Sequence, residues 1–371
     1  MVNQETMQAV FLLSPGQLSC QQVPLPRPGA DEIVVKIGAA LTCGTDLKAF
    51  RRGHPKWPMP TRFGHEYAGT VAACGTNVTS VREGDEVMLA PTGPCGSCFY
   101  CQRQQENLCT SLMETMVLGG YAEYVTIPAR VLRSNLFPKP ASLPFAEAAL
   151  LEPLSCVTFG LQQATVRLDD TAVVIGAGAI GLLHVAVLRA LGVERVYVIA
   201  RNAQRAQTAR DLGAYGIIPY AAEEARGVIL DVTSGRGADL VIECTAQPRV
   251  WEESLFFARP GGQVVLFGGC PAGTTVSFDT YRIHYDQVRV LSPFHFTPKA
   301  VRAAYELLVA EKIPTKKLIS KTFPLTQLSQ AFGLLQQGEG IKYAVVPEIG
   351  YKPEGVRLGD DVPARKPRAN R

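Results

Sequence analysis

At 371 residues the chain is long enough for two or three domains. Hydrophobic residues make up 47% and charged residues 19%, which fits a soluble globular protein and excludes a disordered or low-complexity one. Lys and Arg number 37 against 33 Asp and Glu, and a net charge of +4, part of it carried by the last residues, is too small and dispersed for a nucleic-acid binder.

Residues 1–155 carry short β-rich runs, such as Glu32 to Ile37 and Tyr67 to Ala72, broken by Pro and Gly. They predict an irregular all-β domain. Its first residues hold neither a basic cluster nor a long apolar run, so no signal peptide is expected and the cytoplasm is the default compartment. From about residue 165 the pattern becomes strand, glycine turn, amphipathic helix and strand again, the signature of a doubly wound α/β domain with a parallel sheet over 156–292. Its strands are predicted at Ala172 to Ile175, Val196 to Ala200, Gly216 to Ile218, Leu240 to Cys244, Gln263 to Phe267 and Val288 to Leu291. Helices fit Ile180 to Ala190 and Ala203 to Leu212, with Gly192 and Gly213 as stops. The apolar stretch Ala172 to Leu188 contains three glycines and His184 and is shorter than the roughly 20 residues of a membrane span. Over 293–346, helices near Lys299 to Ala310 and Leu325 to Gln336 precede a strand at Tyr343 to Val346, and this segment is expected to pack back on the first domain. Residues 347–371 lack apolar periodicity and read as a flexible tail.

Two groups of residues suggest metal. Cys95, Cys98, Cys101 and Cys109 lie in a lobe, 93–112, that has little hydrophobic material of its own. Four thiolates close a tetrahedral zinc site with no position left for substrate, which makes such a site structural. An iron–sulfur cluster uses the same ligands, and unrelated buried thiols are the plain alternative. A nucleic-acid zinc ribbon is disfavoured because the lobe has one Arg103 and no basic run. The second group comprises Cys43 just after a strand, His65 and Glu66 about twenty residues later, and Glu152 at the junction with the second domain. A thiolate, an imidazole and a carboxylate suit zinc, and three protein ligands leave a fourth position for water or a substrate oxygen. Taken singly, Cys43 could be a core thiol, His65 a core imidazole and Glu152 a helix cap.

Gly176, Gly178 and Gly181 form a G-x-G-x-x-G turn, with Ala179 and Ile180 inside it, directly after an apolar strand and at the start of a helix. That context predicts a dinucleotide pyrophosphate at the helix N-terminus. The second strand ends in Ala200-Arg201-Asn202, where an NAD-binding chain would place an acid for the ribose 2′-hydroxyl. Ala200 leaves room for a 2′-phosphate and Arg201 offers it a planar fork of donors, so NADP(H) is favoured over NAD(H). Arg205 is either a second phosphate contact or a plain helix residue.

With Cys43-Gly44-Thr45-Asp46, Gly64-His65-Glu66, the four lobe cysteines, Glu152-Pro153-Leu154 and the glycine turn in this order, the chain resembles the medium-chain zinc-dependent alcohol and polyol dehydrogenases over about residues 7–346, most closely the sorbitol and threonine dehydrogenase branch. The resemblance implies a chaperonin-10-like catalytic domain, a Rossmann nucleotide domain and a return of the chain to the first. It implies two zinc ions per chain. Cys43, His65 and Glu66 would hold the catalytic one, with Glu152 binding directly or through water, and the four lobe cysteines the structural one. Thr45 would hydrogen-bond the reacting oxygen and pass on its proton; its plain role would be to cap the following helix. A homodimer or homotetramer, a small alcohol or ketone substrate and no membrane or nucleic-acid partner follow from the same likeness. Lys48 replaces the His that many relatives place in the proton relay, and it could bind an anionic substrate group instead. Phe294-His295-Phe296 makes the pocket more apolar than in polyol enzymes and leaves His295 as its polar candidate, with His54 and Trp57 as further lining. The function expected is hydride transfer between NADP(H) and a secondary alcohol, sugar or polyol; an NAD-dependent threonine-type dehydrogenase and a non-catalytic nucleotide-binding relative are the alternatives.

Overall fold

A computed structural model describes residues 6–347, so the expected tail lies outside the described residues apart from Pro347. Two large sheets organise the chain. A six-stranded sheet runs Gly216–Ile218, Arg195–Ile199, Thr171–Ile175, Ala238–Glu243, Ala258–Leu266 and Arg289–Leu291, all parallel. Counted from Thr171–Ile175 the order is 3-2-1-4-5-6, the doubly wound dinucleotide-binding topology. Every residue of Thr171–Ile175 is buried, as a central parallel strand covered on both faces should be. The strand order reverses between this strand and Ala238–Glu243, and the crevice beyond their carboxyl ends is where such sheets bind ligands.

The second large sheet has seven strands. Ile33–Leu41 pairs with Tyr67–Cys74 on one side and with Tyr124–Ile127 and Lys342–Val346 on the other, and Ile319–Pro324 lies beyond Lys342–Val346. The C-terminal strands thus complete a sheet begun some 300 residues earlier, through Ala344 opposite Leu41 and Val345 opposite Ala40. A smaller three-stranded sheet is built on Thr6–Ser14.

The predicted strands and helices recur within a few residues. The helices form over Ala179–Ala190 and Ala203–Asp211, and the later pair over Pro298–Val309 and Leu328–Gln336. Among the helices not anticipated are Leu151–Gln163 and Ala222–Val232. The first is buried from Leu151 to Leu161 with the one exception of Cys156, so its sequence has no polar face to betray a helical period. It packs against Pro298–Val309 and joins the two large sheets: a single apolar core takes in Ala68 and Met88 of one sheet, Leu154 and Val157 of this helix, and Val174 and Leu240 of the other.

Candidate metal and coenzyme site

Cys43 follows the strand Ile33–Leu41 and is the N-cap of the helix Gly44–Arg52, with its Sγ 3.4 Å from the Thr45 backbone N–H that donates to it. Capping the helix is thus the task of Cys43, and the Thr45 side chain is left exposed. Gly64 adopts φ +86°, and a Cβ there would lie 2.7 Å from the Tyr121 ring, so only glycine lets the chain bring His65 and Glu66 in under that ring. The ligand atoms of Cys43, His65 and Glu66 all lie within 4.8 Å of one another.

Each ligand is fixed from behind. His65 Nδ1 is 2.9 Å from Asp46 Oδ1, and Asp46 Oδ2 accepts from the Tyr121 hydroxyl at 2.8 Å. This leaves the other ring nitrogen for the Cys43 side, the carboxylate–histidine arrangement that orients metal-binding imidazoles. Burial disfavours the imidazolium, but Asp46 and Cys43 outweigh it and hold His65 well above its ordinary value. Glu66 Oε2 is paired with the Lys342 ammonium, which also donates to the Thr42 carbonyl at 3.0 Å. Glu66 Oε1 is buried with no hydrogen-bond partner. An orphaned carboxylate oxygen beside a thiol and an imidazole is a vacancy in bonding that a zinc ion satisfies, and the donor set fits that metal.

Glu152 stands apart from this close grouping. It opens the buried helix Leu151–Gln163, and the Cys156 thiol one turn on donates to its Oε1 at 3.8 Å. Burial raises the Glu152 carboxyl to about 7, even against the pull of His65. Asp46, Tyr121, Lys342 and Cys156 are the supporting residues that sequence reasoning missed. Asp46 carried a signal in its place three residues after Cys43; Lys342 carried none.

The lobe cysteines also converge, with their four sulfurs mutually within 4.8 Å. Cys95 and Cys98 Sγ are 3.9 and 3.5 Å from Cys101 Sγ, and all the cysteines are free thiols. Backbone N–H groups of Ser97 and Cys98 lower the Cys95 thiol to about 5, while burial and the Cys98 sulfur raise Cys101 to about 12.

At the coenzyme crevice Gly176 has φ +101°, and a Cβ on Gly181 would lie 1.9 Å from the Gly176 carbonyl oxygen, so the turn and the close strand–helix contact both require glycine. Gly178 is the N-cap of the helix Ala179–Ala190, whose Ala179 and Ile180 open the first turn. Ala200 is half-buried, and Arg201 is exposed with its guanidinium 4.1 Å from the Tyr220 ring centroid. Arg205 is half-buried, and its Nε donates to the Gly340 carbonyl at 3.0 Å.

Around the metal site His54 stacks on Trp57 at 4.2 Å, and Trp57 lies 5.9 Å from His65. The Nε2 of His295 is 2.7 Å from the Thr92 hydroxyl, so the polar candidate of the pocket is already engaged. A cavity of ≈ 410 Å³ opens between Lys56, Phe294 and the lobe residues Asn107, Leu108 and Leu112. Lys48 is exposed; on the nucleotide side, burial and Glu243 push the Cys270 thiol up, with Lys48 pulling the other way.

A cysteine, histidine and glutamate set that fits a metal, in a chain with a doubly wound dinucleotide-binding sheet, points to a metal-dependent oxidoreductase. The sequence pattern of the alcohol dehydrogenase GroES-like domain matches residues 29–140, and that of the zinc-binding dehydrogenases matches 179–310. Bacillus velezensis L-threonine 3-dehydrogenase is 30% identical over 336 residues, covering 88% of this chain and 94% of its own. Sorbitol dehydrogenase of Gallus gallus is 30% identical over 345 residues, covering 90% and 94%. A zinc-binding dehydrogenase structure from Sinorhizobium meliloti, bound to NADP, superposes with a TM-score of 0.85 at 30% identity over 93% of this chain and 100% of that one. The chain belongs to the medium-chain zinc-dependent alcohol and polyol dehydrogenases and is an oxidoreductase that binds a nicotinamide coenzyme. Among the described residues no helix is long and apolar enough to cross a membrane.

Proposed function

We propose that the chain oxidises a secondary alcohol, sugar or polyol, or reduces the matching ketone, with NADP(H). The observation that carries the reading is the orphaned Oε1 of Glu66 beside Cys43 and His65. Cys43, His65 and Glu66, with Glu152 joining directly or through water, would hold a zinc ion, which would supply the Lewis acidity that favours loss of the substrate hydroxyl proton. Asp46 keeps the His65 ring oriented, and Lys342 pairs with Glu66 Oε2. Thr45, exposed two residues from Cys43, accepts the substrate proton and hands it outward. The buried helix that carries Glu152 positions the substrate against the coenzyme by locking the two sheets together. The lobe takes a second, structural zinc, giving two per chain. The domains run 1–155, 156–292 and 293–346, and a cytoplasmic homodimer or homotetramer fits the reading.

Ala200, with no acid at its strand end, and the exposed Arg201 favour a 2′-phosphate. The likeness to L-threonine 3-dehydrogenase supports a second reading, an NAD-linked amino-alcohol enzyme. Purified protein is assayed with NADP⁺ and NAD⁺ against polyols, secondary alcohols and L-threonine, following the reduced nicotinamide. A preference for NADP⁺ is expected. Arg201→Asp is expected to lose it by about 10- to 100-fold, the worth of one charge-assisted contact. Turnover of L-threonine with NAD⁺ alone would establish the second reading instead.

A further inference from the structure

We propose that Arg205 and Lys342 form a positioning path through which the coenzyme's 2′-phosphate steadies the Glu66 carboxylate that faces the metal; this rests on the NADP reading above. The path is short and continuous. Asn202 and Arg205, in the first turn after the strand end that reads the coenzyme, donate to the carbonyls of Gly338 and Gly340 at 3.4 and 3.0 Å. Those carbonyls belong to the turn leading into the strand Lys342–Val346. The turn has little slack: Gly340 has φ +64°, and a Cβ there would lie 2.5 Å from the Tyr343 hydroxyl oxygen. The Ile341 N–H donates to the Ser320 hydroxyl at 2.8 Å.

Two residues past Gly340, Lys342 leaves the turn and enters the core. Tyr343 N–H donates to Thr42 Oγ1 at 2.9 Å and Thr42 N–H to the Tyr343 carbonyl at 3.0 Å, which locks this strand to the residue before Cys43. The Lys342 ammonium grips the Thr42 carbonyl and Glu66 Oε2. Glu66 Oε1 is thereby directed away from Lys342, unpartnered, beside Cys43 and His65. The same strand entry is therefore fastened at one end to the coenzyme-reading helix and at the other to a metal carboxylate.

Arg205 bonds Gly340 through Nε, which leaves the terminal nitrogens of its guanidinium for a phosphate. A 2′-phosphate taken there fixes Arg205, hence the turn at 338–340, hence Lys342 and Glu66. Coenzyme and metal then bind with mutual reinforcement, and the reinforcement is the same factor in both directions. NAD(H), which lacks the phosphate, does not engage the path.

The test follows the loss of Co²⁺, placed in the Cys43 site, to an excess of chelator through the visible bands of the metal, with no coenzyme, with saturating NAD⁺ and with saturating NADP⁺. NADP⁺ is expected to slow the loss by roughly fivefold or more relative to NAD⁺. Arg205→Gln should abolish that difference. Lys342→Met should release cobalt about 10- to 100-fold faster and also lose the difference; should this buried change prevent folding, the half-buried Arg205 variant decides alone. A calorimetric titration accompanies each arm. NADP⁺ that binds no better than NAD⁺ overturns the coenzyme reading and this inference with it. Tight, selective NADP⁺ binding with unchanged cobalt loss, or slowing that survives Arg205→Gln, overturns this inference alone.

Discussion

The four thiols of the lobe come from one continuous loop, Cys95 to Cys109, whose own backbone N–H groups donate to the sulfurs. The Cys43 site gathers its donors from the ends of separate strands and borrows support from Asp46, Tyr121 and Lys342, the last 276 positions from Glu66 in sequence. The lobe's sulfur contacts are local in sequence, whereas the Cys43 site is completed by Lys342 on the C-terminal strand that joins the first sheet. Closed and local suits a staple; open and assembled from afar suits chemistry, because its geometry is then set by the packed core.

Cys43→Ala should produce the largest effect. It removes the sulfur donor of the open site, and losing a Lewis acid worth several kcal/mol should lower kcat/KM by about a thousandfold or more. Zinc content should fall by one ion per chain, with the circular dichroism spectrum unchanged. A variant that keeps both its activity and its metal would remove Cys43 from the site.

Cys98→Ser should do the reverse. Loss of the lobe metal is expected to cost about 3 kcal/mol and lower Tm by roughly 5–10 °C. The folded variant should keep kcat/KM within about threefold, measured below its transition. A collapse of activity at unchanged Tm would give the lobe a catalytic part.

The same contrast explains what could be read from the sequence. The lobe was legible because its ligands sit at fixed short spacings. The doubly wound sheet was legible because apolar runs such as Thr171–Ile175 alternate with glycine turns and helices. The helix Leu151–Gln163 was not, since burial on nearly every side erases the polar face that marks a helix. Cys43, His65 and Glu66 could be proposed from their motifs, but the engagement of His295 by Thr92 and of Glu66 by Lys342 depends on residues some 200 to 300 positions away. Arg205 read as a phosphate contact or a bland surface residue, and only the returning turn at Gly340 revealed its partner.

Asp46→Asn probes the borrowed support. The amide keeps the shape but weakens the hydrogen bond that orients His65, so the Cys43 site should hold zinc about 10- to 100-fold less tightly. The lobe, which shares no partner with Asp46, should hold its own ion as before. Competition with a graded chelator resolves the two ions, and equal weakening of both would mean that the two sites are not independent.

The smallest effect concerns protons at the lobe. Metal ligation needs thiolates, so every proton still bound in the metal-free lobe must leave on uptake. Backbone N–H groups of Ser97 and Cys98 hold Cys95 at about 5, so it is a thiolate at neutral pH. Backbone N–H groups of Cys101 and Thr110 hold Cys98 at about 7, and burial keeps Cys101 protonated. Above pH 7 uptake therefore displaces no proton from Cys98, whereas below it one more is displaced. The slope of log affinity against pH should accordingly steepen by about one unit as the pH falls through 7, and by another near 5. Zinc competition between pH 5 and 8, run on Cys43→Ala protein so that only the lobe reports, measures this slope. A constant slope across that range would mean that the backbone donors do not hold Cys95 and Cys98 as thiolates before the metal arrives.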